Sequence, residues 1–310
     1  MARSKSGYPV HDGMLRSSTN RLGDTLRKIG WNMSTENALL TILVEKINND
    51  TLVLPTLPAI ALKVRKAADD PNINLNAMAD VIGQDLSLSA RMIKISNSSY
   101  MGRAVKVTST SQAVTRIGLR QIKNIATALA MEQLFVSKND IVKAYMGRIW
   151  ADNLKVVANA MAAMQLHVKE TKNRTLNLDT MTLVALVHNI GVLSILTEAE
   201  RHPDVFANPT FLNVAIDKLA GKIGSSILRK WGFETEFINV VENWRDFAVQ
   251  TERISYLDFT RLGITLAGQF DSRKDAVMNL SEQKGLFSDL NALHSDEFTK
   301  LRDSAMQIFL

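Results

Sequence analysis

The chain has 310 residues, 46% of them hydrophobic, and a formal charge of +6 from 37 Lys and Arg against 31 Asp and Glu. That apolar content excludes a disordered chain, and the absence of cysteine excludes disulfides, thiolate metal sites and cysteine nucleophiles together. Only five histidines and the carboxylates are left to hold a metal.

The basic surplus is concentrated at the start. Residues 1–34 carry Arg3, Lys5, Arg16, Arg21, Arg27 and Lys28 against Asp12 and Asp24. This composition predicts a mobile basic leader with at most a short helix around 24–30. The start lacks the apolar centre of a secretory signal, and no run is expected to reach the roughly 20 apolar residues of a membrane span. A cytoplasmic protein is therefore expected. The near-neutral remainder gives no reason to expect a membrane or a specific nucleic-acid partner.

From about residue 35 helical periodicity takes over. Thr35 is placed to cap TENALLTILVEKINND, where Leu39, Ile42, Leu43 and Ile47 fall at helical spacing. Pro55 interrupts the next stretch and Pro58 suits the first turn of the helix that follows. Shorter helices are predicted over 76–83, 86–96 and 109–118, then a longer one over 119–134. The longest periodic segment, 139–166, repeats Trp150, Leu154, Val157, Met161 and Met164, and its Ala and Met content predicts packing on several sides. After a polar loop, the run 181–196 is apolar on nearly every face and is expected to be central. Helices over 211–219, 222–231, 234–247, 254–270 and 296–309 follow. No sustained alternating strand pattern is present, so the predicted fold class is all-α.

The central run contains ALVHNIGVLSIL, in which Asn189 follows His188. A histidine and an aspartate side by side on an apolar helix can hold a divalent ion and its activated water. Asn189 supplies neither the charge nor comparable ligand strength.

Three stretches in order, LPTLPAIALKV, DLSLSARMIKISNSSYMG and VTSTSQAVTRIGLRQIKNIATALAM, resemble the N-terminal half of the HDOD domain. The helix centred on Trp150, the segment at His188 and IGSSILRKWGF over 223–233 resemble its HD half. The resemblance spans roughly 35–305. It implies an N-terminal helical subdomain over 35–135 packed on a degenerate HD-like subdomain over 136–310. HD-superfamily hydrolases hold metal with a histidine on the first of these helices, the His-Asp pair, further histidines and a downstream aspartate. In this chain those places fall on Asp152 or Asn153, on His188 and Asn189, on Ala220 or Gly221, and on Asn243 and Trp244. No histidine stands between His202 and His294, so no register supplies the missing ligands.

The resemblance thus implies a dismantled metal pocket, with Asp152, His188, Asn189 and Asn243 as its remnants and no cofactor. It also implies a non-catalytic role in signal transduction through regulatory protein partners. The enzyme alternative is a metal-dependent phosphohydrolase using His188, Asp152 and Asp246 in an unusual arrangement.

Local chemistry adds further expectations. His188 reads as a core histidine bonded to a neighbour, and Asn189→Asp as the burial of an uncompensated carboxylate. His11 and Asp12 lie in the leader without a helix to orient them. His167 and His202 border loops and are expected to face solvent, while His294 precedes the helix cap Ser295. Asn97, Ser98 and Ser99 read as backbone caps. For partner contact, Tyr100, Arg103, Arg116 and Arg120 offer the aromatic and arginine types enriched at interfaces.

Overall fold

In the computed structural model, which describes residues 38–98, 101, 105–173, 175–202 and 209–309, every regular element among the described residues is helical. The leader and Thr35 lie outside the described residues. Helix α1 (Ala38–Asn48) closes where Asp50 takes a left-handed φ of 53°, letting the amides of Thr51 and Leu52 donate to the Lys46 carbonyl. Pro58, which has no N–H to leave unsatisfied, immediately precedes α2 (Ala59–Ala68). Asn74, Asp85 and Ser109 accept backbone amides at the starts of α3 (Leu75–Gly83), α4 (Leu86–Ser96) and α5 (Thr110–Ile117). Gly118, at φ 86°, separates α5 from α6 (Leu119–Ala130) in a conformation that L side chains rarely adopt.

The second half is built on α7 (Asp140–Thr171), a 32-residue helix capped by Asn139 and about 48 Å long at 1.5 Å per residue. Helices α8 (Leu178–Val187) and α9 (Val192–Glu200) are separated by a turn at residues 188–191. They are followed by α10 (Pro209–Lys230), α11 (Thr235–Asn243), α12 (Tyr256–Leu266), α13 (Lys274–Gln283) and α14 (Asp296–Met306). Helices α8, α12 and α14 all pack on α7. The small residues of VVANAMAA allow this: a Cβ added at Gly263 of α12 would lie 2.7 Å from the Val156 carbonyl oxygen and 2.8 Å from the Ala160 Cβ.

The two halves are joined by specific bonds as well as by apolar burial. Trp231 Nε1 donates to the Pro55 carbonyl at 3.1 Å, and Asn124 Nδ2 reaches Asp179 at 3.2 Å and Thr180 at 3.3 Å. Lys123 pairs with Asp69 at 2.9 Å and with Glu234 at 3.2 Å. Helix α1 packs on α9 and α10, where Lys46 meets the buried Glu198 at 2.7 Å.

Three sequence expectations are corrected. The run 181–196 is two helices, because the chain turns at the His188–Asn189 pair instead of passing through it. The segments 211–219 and 222–231 are one helix, because Gly221 and Gly224 are close-packing positions against Glu242 and Val241 and do not break it. The two helices together, Leu178–Glu200, do reach membrane-span length and contain an 18-residue window with a mean hydropathy of 1.7, but 89% of that window is buried within the fold.

Two glycines separate packing from helix propensity. Gly263→Ala meets backbone and is expected to cost about 2 kcal/mol or more, whereas Gly147→Ala, with nothing within 4 Å of the added Cβ, is expected to gain up to about 1 kcal/mol. Urea unfolding of both variants, compared at constant m value, tests the difference.

Candidate functional site

The turn after α8 carries His188 and Asn189. His188 Nδ1 donates to the Ala185 carbonyl at 2.6 Å, which fixes the tautomer and leaves a lone pair on Nε2, a buried atom with no partner. From the end of α11, Trp244 meets the imidazole edge-on, with ring centroids 5.1 Å apart. Phe270 covers Trp244 at 5.4 Å. Arg245 lays its guanidinium 3.7 Å above the Trp244 ring and donates from Nη2 to the Asn189 amide oxygen at 3.0 Å. Asn189 and Arg245 are half-buried and reach solvent, while His188 and Trp244 form the floor.

Arg261 on α12 holds this arrangement in place. Its guanidinium donates to the carbonyls of Asn243 at 2.9 Å, Trp244 at 3.3 Å, Asp246 at 2.6 Å and Val249 at 3.0 Å. The polypeptide leaving α11 is thereby folded around one cation, and that fold aims Trp244 and Arg245 at the α8–α9 turn.

Burial sets the charge states. It pushes His188 down to about 4, with the neighbouring Arg245 charge adding to the effect and the bond to Ala185 opposing it. Burial also pushes Arg245 down to about 10, opposed by Asp217 on α10. At neutral pH the site holds a neutral imidazole, a neutral amide and a charged guanidinium.

The remaining anticipated residues are dispersed. Asp152 turns outward to Lys155 at 2.9 Å, and its neighbour Asn153 is the buried one, with Nδ2 lacking a partner. Asn243 folds its amide back onto the Asn239 carbonyl at 2.9 Å. Asp246 is exposed and accepts from the Ala248 amide at 3.0 Å. At Ala220, the carbonyl oxygen abuts Gly191, 2.0 Å from where a Cβ would sit.

His167, expected to face solvent, is buried: Nδ1 donates to the Leu286 carbonyl at 2.6 Å, and Phe259 and Phe287 flank the ring. His202 is half-exposed beside Glu198, and His294 precedes the Ser295 cap of α14. Asn97 closes the 97–107 loop by two 2.7 Å bonds to Val107. Tyr100 and Arg103 lie outside the described residues. Arg116 is committed to the carbonyls of Ser96 and Val105, whereas Arg120 is exposed.

A divalent metal does not fit these residues. No group of three or more His, Cys, Asp or Glu side chains able to hold a metal exists among the described residues. Beside the one imidazole stand an amide and a cation that would repel the ion. The sequence reading missed Arg245, although the arginine stands in NWRDF directly after Asn243 and Trp244, the two residues to which the resemblance assigned ligand places.

Fold and site together define an all-helical domain of HD-type construction. A family model described as the HDOD domain matches residues 54–247, and the chain belongs to that family. It is 39% identical to a protein of Shewanella amazonensis SB2B, named as a candidate metal-dependent phosphohydrolase, whose crystal structure superposes with a TM-score of 0.83 over 88% of this chain and 98% of that one. It also resembles the crystal structure of an HDOD domain protein of unknown function from Geobacter sulfurreducens, with 20% identity, a TM-score of 0.57, and 87% and 98% of the two chains covered. An uncharacterised protein of Treponema pallidum strain Nichols is 24% identical over 199 residues, which are 61% of this chain and 37% of that protein. The chain thus spans well under half the length of this curated relative.

Arg245 overturns the expectation for Asn189→Asp. A carboxylate there would gain a charge-assisted bond to a guanidinium already 3.0 Å away, and the variant is expected to be more stable by about 1–2 kcal/mol. A lower melting temperature at pH 7 would contradict the pairing. For His188, unfolding exposes an imidazole that takes a proton near its ordinary 6.5, whereas the folded one resists protonation down to about 4. Stability is therefore full above pH 6.5 and falls as the pH drops toward 4, by at most on the order of 3 kcal/mol. In His188→Gln this acid-dependent loss is expected to shrink, measured as the difference between the two stability profiles.

Proposed function

We propose that this chain is a cytoplasmic, non-catalytic regulatory module that acts in signal transduction by binding a protein partner. In this reading residues 35–310 work as one HDOD unit, with 1–34 as its basic leader. The observation that carries it is Arg245, whose guanidinium bonds Asn189 beside the lone His188. A hydrolase of this construction needs several anionic or imidazole ligands at one point, and this place holds a fixed positive charge instead. A Marinobacter aquaeolei VT8 protein of similar fold is named for signal transduction, at 19% identity, a TM-score of 0.56, and coverage of 96% of this chain and 66% of that one. The rival reading, metal-dependent phosphohydrolysis, draws on the name of the Shewanella amazonensis protein.

For the partner surface we infer the side of α5. Val105 is 75% exposed, and with Lys106, Ser111, Thr115 and Arg116 it lines a shallow depression of about 320 Å³. Arg120, exposed at the start of α6, is added to the proposed face, and Tyr100 and Arg103 are included for their residue types alone. Because Arg116 also ties α5 to α4, its charge reversal would damage the fold, so Val105→Asp with Arg120→Glu is the cleaner probe.

The expected outcomes are less than 0.1 transition metal per chain by elemental analysis after growth in metal-supplemented medium, no hydrolysis of bis-p-nitrophenyl phosphate with added Mn²⁺, and capture of a partner that the double variant loses without a change in melting temperature. About one metal per chain, lost in His188→Ala, would establish the rival.

A further inference from the structure

Burial holds three arginines below the ordinary guanidinium range, and they differ in what answers their charge. Arg261 has four carbonyl acceptors. Arg65 also has a buried Nη1 with no acceptor, but it donates to the Gly232 carbonyl at 3.4 Å, lies 4.1 Å over Phe233, and has two carboxylates, Glu234 and Asp69, near enough to favour its charge. Arg245 has one neutral acceptor, the Asn189 amide, and the face of Trp244. Its Nη1 is buried with no acceptor, and so is the Trp244 Nε1 in the ring beneath it. Asp217 acts on it only at longer range. In a cleft of about 260 Å³ between α1 and α10, by contrast, Lys46 pairs with Glu198 and Arg229 with Glu242.

We propose that the half-buried corner formed by Asn189, Trp244 and Arg245 binds an oxyanion, a carboxylate or phosphate group that supplies the counter-charge the guanidinium lacks. The inference rests on the reading that no metal occupies this place. Guanidinium presents paired N–H donors in a planar fork that matches two oxygens of such a group, and Nη1 has that capacity unused. Stacking on Trp244 fixes the plane of the fork, and the bond to Asn189 fixes its rotation, so the receptor is preorganised. A neutral residue at 189 is what keeps it receptive, since a carboxylate there would take the donors for itself.

The test uses the full chain, treated with EDTA, at pH 7.5 and constant ionic strength maintained with NaCl. Inorganic phosphate and acetate are titrated in separate arms against the melting temperature. A saturable rise with either anion is expected for the wild type, with half-saturation weakened at least about tenfold in both Arg245→Met and Asn189→Asp. The arm with the lower half-saturation identifies the group as phosphate or carboxylate. If Arg245→Met does not fold, Asn189→Asp, expected to be at least as stable as the wild type, carries the comparison. Responses equal to that of chloride, or unchanged in Asn189→Asp, would mean that water alone fills the corner and would overturn the proposal. A response that requires added Mn²⁺ would overturn it too, and only that outcome would also overturn the metal-free reading on which it rests.

Discussion

The arrangement of the HD-type half depends on one buried cation at the end of a helix. The last carbonyls of any helix lack intrahelical partners, and a positive charge at that end is favoured by the helix dipole. Arg261 answers this at α11 and goes further, gathering the carbonyls of residues 243, 244, 246 and 249 around a single guanidinium. The far end of the same loop is fixed by a capping box between Ser255 and Asp258, whose carboxylate also accepts from Lys284 at 2.6 Å. The segment between is clamped at both ends by charge, and Trp244 and Arg245 inherit their direction from it.

A positive charge therefore occupies the place to which the sequence resemblance assigns metal ligands. The exchange is coherent across the contacting residues. Asparagine in place of aspartate avoids a strong internal pair, tryptophan supplies a face on which a guanidinium can rest, and burial keeps His188 neutral beside a cation. Together they make a stable polar corner within an otherwise apolar core.

Much of the fold was legible in the sequence. The helices expected over 76–83, 86–96, 109–118 and 119–134 fall within a few residues of α3 to α6, because polar caps and glycine bound them. The turn within 178–200 was not legible, because the segment is buried on all sides and gives no periodicity to interrupt. Gly221 and Gly224 misled for a related reason: conformational freedom and close approach leave the same mark on a sequence, and only the neighbouring helix decides between them. Helix α13 was missed because its few apolar residues, Val277, Met278 and Leu280, are too sparse to mark a face. At the site, the residue types at positions 189, 243 and 244, none of them the ligand that the resemblance implies, could be read directly. The charge beside them could not, since an arginine following a tryptophan looks like any surface charge until the loop that carries it is folded inward.

The long helix α7 separates two kinds of boundary. The family match stops at residue 247, yet α12 and α14 lie beyond that point and both pack on α7, with Gly263 pressed against its backbone. A fragment trimmed to the family match would leave the Ala- and Met-rich flank of α7 facing water, a long apolar stripe with nothing to shield it. The boundary of the family match is thus not a boundary of the core, and the helices after residue 247 are the lagging that insulates its central helix.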